Sequence, residues 1–168
     1  FVGYDVLHSS GQLIHLKNTL PHAVVSTDVS PFYAAMGGQI ADTGTIVIKG
    51  LEYTVVDVQK QNQMQLLILS KLVAIEIENA IGTSVQLCVD EHRRSAIERH
   101  HTVTHLLHWA LHEIVSRDAV QKGSYVGPEK LTFDFASAAL TKEQVRAVEK
   151  LVNEKIAANA PVSWKEIP

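Results

Sequence analysis

The sequence predicts an α+β fold, a small N-terminal β-barrel followed by an α/β core of sheet and helices. Three observations predict it. Short β-branched runs punctuated by Gly and Pro fill residues 1–90, and the hydrophobic period becomes helical at Glu91. An alternating strand then lies between two helical stretches. The barrel is expected over residues 1–90 and the second part over 91–168. With 168 residues, 46% of them hydrophobic and 20% charged, the chain has the makings of a packed core rather than a disordered segment.

In chain order, Tyr4–Leu7, Gly11–Leu16 and His22–Thr27 read as short strands, interrupted at Ser9-Ser10-Gly11 and at Asn18-Thr19-Leu20-Pro21. Residues 30–44 differ in character. Gly37, Gly38 and Gly44 stand beside Gln39 and Asp42, two side chains with strong hydrogen-bonding ability. Paired glycines suit either a turn between strands or a close backbone approach to a ligand. Thr45–Lys49, Leu51–Lys60, Met64–Lys71 and Ser84–Asp90 continue the β pattern, and Val73–Glu78 alternates. Several short strands at close spacing argue for a barrel or sandwich.

From Glu91 to about Ser116 the pattern is helical. Ile97, Val103, Leu106, Leu107, Ala110, Leu111 and Ile114 predict a helix apolar on much of its circumference and buried in the domain. Val120–Pro128 is a loop or short strand. Lys130–Phe135 alternates, with Leu131, Phe133 and Phe135 on one face. Thr141 is an N-cap for a helix from Lys142 to about Asn159, whose inner face is expected to carry Val145, Val148, Leu151, Val152 and Ile156. Val162–Ile167 resembles the start of another strand.

Charge and composition narrow the chemistry. A net charge of −3 gives no global footprint for nucleic acid, though a local basic patch is compatible with it. The single cysteine forbids an internal disulfide framework, which fits a reducing cytosol. No apolar run reaches membrane-spanning length, and no signal peptide is visible. A start at Phe1 and an end at Pro168 read as cuts in a longer protein.

The most distinctive stretch is Arg99–His112, which holds five of the nine histidines. On a helix, His105, His108 and His112 fall within about 40° of His101, whereas His100 points elsewhere. Imidazoles four residues apart reach one metal ion together, so His101 and His105 form a potential zinc half-site. His108 reads as a packed or supporting group, His112 as a surface position, and His100 as facing water. Cys88-Val-Asp-Glu-His92 has C-x-x-x-H spacing, but its cysteine ends an apolar strand and reads as a small buried hydrophobe.

Taken together, these stretches resemble the editing region of alanyl-tRNA synthetase and the related free-standing editing proteins. Pro31–Gly44 is similar to that family's F-Y-x-x-x-G-G-Q-x-x-D-T-G segment, and His101–His108 to its H-T-A-T-H-L-L-H helix. Val120–Ser124, Leu131–Phe135 and Leu151–Ile156 follow in family order. Ala35-Met36 departs from the Glu-Ser more usual there.

The resemblance implies a proofreading hydrolase that cleaves serine or glycine from mischarged alanine tRNA, within a cytoplasmic parent that uses ATP to attach alanine. It also implies zinc between His101, His105 and a later C-x-x-x-H. No such motif follows here, so only half of the metal site is expected.

Gln39 and Gln121 are the candidates for orienting water or substrate, and Thr43 for sensing the serine hydroxyl. Asp134 is a polar anchor or the solvent-facing position of its strand. Arg93, Arg94, Arg99, Lys122 and Lys130 are candidate phosphate contacts or solvated charges. Two other readings share this core, a folded but inactive piece with residual tRNA-binding surface and a free-standing aminoacyl-tRNA deacylase.

Overall fold

A computed structural model describes residues 1–74 and 79–161. The segment 75–78 within Val73–Glu78 and the expected strand at 162–167 lie outside the described residues.

Six antiparallel strands close a barrel in the order β1-β2-β5-β4-β3-β6. They are β1 (His8–Thr19), β2 (His22–Thr27), β3 (Gly44–Ile48), β4 (Leu51–Gln61), β5 (Met64–Leu69) and β6 (Ser84–Val89). The barrel forms because alternate residues are apolar. Val85, Leu87 and Val89 of β6 point inward with Ile46 and Ile48 of β3 and Leu67 and Leu69 of β5. Phe32, from the loop after β2, is fully buried in the same core. Bulges between Leu13 and His15 and between Val55 and Asp57 offset the register of the two longest strands.

After β6 the chain enters α1 (Glu91–Ile114), capped by the Asp90 side chain, which accepts from Arg93 N–H. A two-stranded antiparallel sheet follows, β7 (Gln121–Val126) with β8 (Leu131–Phe135), and then α2 (Lys142–Ala158). A second apolar cluster joins Ala110 and Leu111 of α1, Ala119, and Val148 and Val152 of α2, with Phe133 and Phe135 packed against it. Lys155 of α2 lies over the Trp109 ring of α1, 5.0 Å from its centroid.

The structure corrects several local expectations. Tyr4–Leu7 is turn and bend, not strand. Ser9-Ser10-Gly11 does not interrupt the barrel, because β1 runs through it while pairing with β6. Gly11 also leaves room for the segment after β2, since a Cβ there would lie 2.8 Å from Asp28 Oδ1 and 2.9 Å from Val29 O. α1 is half-buried rather than enclosed: His105 is exposed and Val103, Leu106 and Leu107 only partly covered. On α2, Val145 and Ile156 are each 49% exposed, so the buried stripe narrows to Val148 and Val152 with Leu151 beside them.

Candidate functional site

The segment between β2 and β3 carries the site from the barrel to α1. Met36 and Gln39 exchange backbone hydrogen bonds at 3.1 Å in both directions, closing a tight turn on Gly37 and Gly38. Both glycines have positive φ, 62° and 87°, the pair that a two-residue type I′ turn demands. Of the two readings of this pair, the turn is the one observed, and Gly38 also lies close against the protein's own β7. A Cβ on Gly38 would collide with Ser124 Oγ and lie 2.5 Å from Ser124 O. Val126 N–H donates to Gly38 O at 2.8 Å and Ile40 N–H to Val126 O at 3.1 Å, so this segment is laced onto β7.

A buried ion pair fixes the other flank of the segment. Arg94, 5% exposed on α1, meets Asp42, 1% exposed, through Nε at 3.1 and 3.2 Å and through a shorter Nη2 contact. The guanidinium also donates to Gly3 O at 2.6 Å and Pro31 O at 2.9 Å, while Asp42 Oδ2 accepts from Tyr33 N–H at 2.7 Å. Burial acts to lower the Arg94 pKa, but the hydrogen bonds and charge of Asp42 prevail and raise it. Arg94 is therefore committed to the fold and is not a phosphate contact. Arg93 is partly committed too, donating to Ala41 O at 2.6 Å. Arg99, Lys122 and Lys130 are exposed.

This bracing delivers Gln39 to the histidine helix. His101 Nδ1–H donates to Gln39 Oε1 at 2.6 Å, across 62 residues of sequence. With Nδ1 donating, Nε2 keeps its lone pair. Desolvation first, and then the neighbouring His105, lowers the His101 pKa, so the ring is neutral at pH 7. The His101 and His105 rings lie 4.9 Å apart, centroid to centroid, and tilted by 35°. They suit a shared metal ion, and the Gln39 contact is the kind of support that fixes a ligand's tautomer. They supply only two donors, however. Among the described residues no group of three or more His, Cys, Asp or Glu could hold a metal. The residues thus fit one half of a zinc site and do not close it.

Gln39 and His101 line a cleft of about 340 Å³ with Phe1, Tyr4, Tyr33, Glu98 and Thr102 among its other walls. Gln121 lies at the start of β7 and is exposed. Its amide donates to Ser124 Oγ at 3.1 Å, the hydroxyl beneath Gly38. Thr43 is not brought to this cleft. It borders a separate depression with Thr45, Thr54, Cys88 and Asp90. Cys88 is half-buried on β6, its thiol directed to Val89 O at 3.8 Å. Asp134 is exposed on β8, as is Thr132.

Two histidines are corrected. His100 does not face water: its Nδ1–H donates to Gly127 O at 2.6 Å. Nor is His112 a surface group, since its Nε2–H donates to Ala119 O at 3.1 Å. His108 packs between His112, 4.3 Å away, and Phe133, 5.3 Å away, centroid to centroid. Sequence reasoning missed Ser124 as the link between Gln121 and the glycine turn, and the Asp42–Arg94 pair. The sequence signal available for the pair was an arginine on the same helical face as His101, seven residues ahead of it.

Residues 5–93 match the family described as tRNA synthetases class II (A). The chain belongs to that family. Similarity to individual members extends past the matched barrel into the histidine helix and the strands beyond it. The alanine–tRNA ligase of Akkermansia muciniphila is 40% identical over 166 residues, 99% of this chain and 17% of the ligase. That of Methylacidiphilum infernorum is 40% identical over 167 residues, again 99% and 17%. That of Deinococcus radiodurans is 39% identical over 178 aligned positions, covering all of this chain and 20% of the ligase. This class II (A) chain therefore spans about a fifth of the length of the curated relatives it matches. Among the described residues no helix is long and apolar enough to cross a membrane.

Proposed function

We propose that this chain is the proofreading part of an alanine–tRNA ligase, hydrolysing the ester of serine or glycine mischarged on alanine tRNA. The observation that carries the reading is the 2.6 Å bond from His101 to Gln39, which joins the Gly-Gly-Gln turn to the histidine helix. Similarity to alanine–tRNA ligases across nearly the whole chain supports it. The partner is the 3′ end of tRNA and the compartment the cytoplasm. ATP would serve the ligase's aminoacylation, outside these residues.

An aminoacyl ester is electrophilic enough for water to be the nucleophile, so the residues have to orient rather than activate. Gln39 fixes the His101 ring, and its amide N–H remains to donate to substrate or water. Gln121 and Ser124 form a second polar pair against the same turn. Zinc on His101 and His105, with ligands beyond these two, would supply a Lewis acid when bound. Thr102 and Tyr33 bring hydroxyls to the walls of the cleft; these already donate to Glu98 O at 3.0 Å and Met36 O at 3.4 Å and would meet a serine hydroxyl as acceptors, while Thr43 borders the separate depression.

The test is release of serine, glycine and alanine from the corresponding charged alanine tRNAs, by this chain and by the longest translated product containing it. Faster release of serine and glycine than of alanine, weakened in Gln121→Ala, supports the reading. No release by either protein supports the folded but inactive alternative.

A further inference from the structure

Beside the cleft lies a second cavity, of about 330 Å³, between the β4–β5 hairpin and the loop after β2. Phe1, Tyr4, Ile14, Met36 and Met64 are all exposed hydrophobics, and all of them line it. Scattered apolar side chains on a surface are ordinary, but their convergence on one concavity marks a binding surface. Phe1 meets Tyr4 and Tyr33 edge-on, at 5.0 and 6.1 Å between centroids. Phe1, Tyr4 and Tyr33 also line the cleft that holds Gln39 and His101, so the rings form a ridge shared by the two cavities. Lys60 supplies a cation in the second cavity's wall. Asp28, the carboxylate there, is already engaged, accepting from Gln12 N–H at 2.6 Å and Val29 N–H at 2.8 Å.

The geometry points to this cavity as the seat of the unpaired nucleotide that precedes the ester-bearing 3′ nucleoside, its base stacked on Tyr4 and Tyr33 against Met64 and its phosphate at Lys60. The inference rests on the reading that the neighbouring cleft takes the 3′ terminus. Aromatic faces and a polarizable thioether hold a base without demanding its identity. The volume sits near the lower end of small-ligand pockets, enough for one base and not for a duplex. Burial, then Tyr4 and then Asp42 raise the Tyr33 pKa, so its ring is neutral when stacked. Continuity across the ring ridge favours the strand that enters the cleft over an unrelated peptide.

The probe is an uncharged RNA hairpin with a four-nucleotide 3′ overhang carrying 2-aminopurine next to the terminal nucleotide, titrated with the 168-residue chain. Quenching on binding is expected. Tyr4→Ala and Met64→Ala should each weaken it about tenfold, the effect of losing one stacked base. Lys60→Ala should reduce the salt dependence by about 0.7 in log–log slope. Tyr4 and Met64 are 74% and 41% exposed, and circular dichroism confirms that the variants fold. Equal quenching and affinity in wild type and both alanine variants overturn the proposal, as does equal binding of a blunt hairpin. Because the probe carries no ester, substitution-sensitive quenching without serine release overturns the editing reading alone.

Discussion

Gln39 is 8% exposed and shares a short hydrogen bond with His101, so a change at either residue reaches the other. Gln39→Ala should leave the half-buried His101 N–H without its partner and the ring free to turn. Release of serine should fall about 10- to 100-fold, the range known for residues supporting metal-binding histidines. Gln39→Glu, which keeps an acceptor oxygen, should retain more activity than Gln39→Ala.

Asp42 and Arg94 act on stability instead. Asp42→Ala should cost about 3–5 kcal/mol in denaturant unfolding, because it strands a guanidinium that is 5% exposed. The histidine stripe was legible in the sequence because a helix brings residues four apart together. The partners of Gln39 and Asp42 were not, since 62 and 52 residues separate each from its mate. Arg94 read as a surface charge for the same reason: burial of a charge depends on a partner that local sequence does not reveal.

At the scale of elements, turn chemistry and alternation carried most of the information. The barrel strands from His22 onward and both helices fall close to where period and punctuation place them. Tyr4–Leu7 misled because aromatic and β-branched residues also occur in turns: here Tyr4 and Val6 stay exposed and Leu7 packs against the barrel core. Val145 and Ile156 misled because α2 meets α1 along a stripe narrower than its apolar face. Val145→Lys should therefore change stability by less than about 0.5 kcal/mol. Thr141 anchors a capping box with Gln144, its side chain accepting from Gln144 N–H at 3.2 Å, and Thr141→Ala should cost about 1 kcal/mol in thermal or denaturant unfolding. Gly38→Ala combines a positive φ of 87° with a collision against Ser124. It should push the turn off β7 and reduce serine release more than it reduces unfolding stability, as paired activity and denaturation curves would show.

Across the whole molecule, the looped segment of residues 30–43 ties the closed barrel to the helix-and-hairpin layer. Each flank of that segment is held by a different element, β7 through Gly38 and Ile40, and α1 through Asp42. Gln39 lies between these two anchors. Sequence patterning indicated the barrel and the helices but not this bracing, which exists only once the strands have closed and α1 has docked. The most direct test is a double-mutant cycle on release of serine from mischarged alanine tRNA, using Gln39→Ala, His101→Ala and the pair. If the two residues form one device, His101→Ala abolishes most of the release and adding Gln39→Ala lowers it little further. Independent, multiplying losses, or unchanged release in His101→Ala, would contradict a site built on their contact.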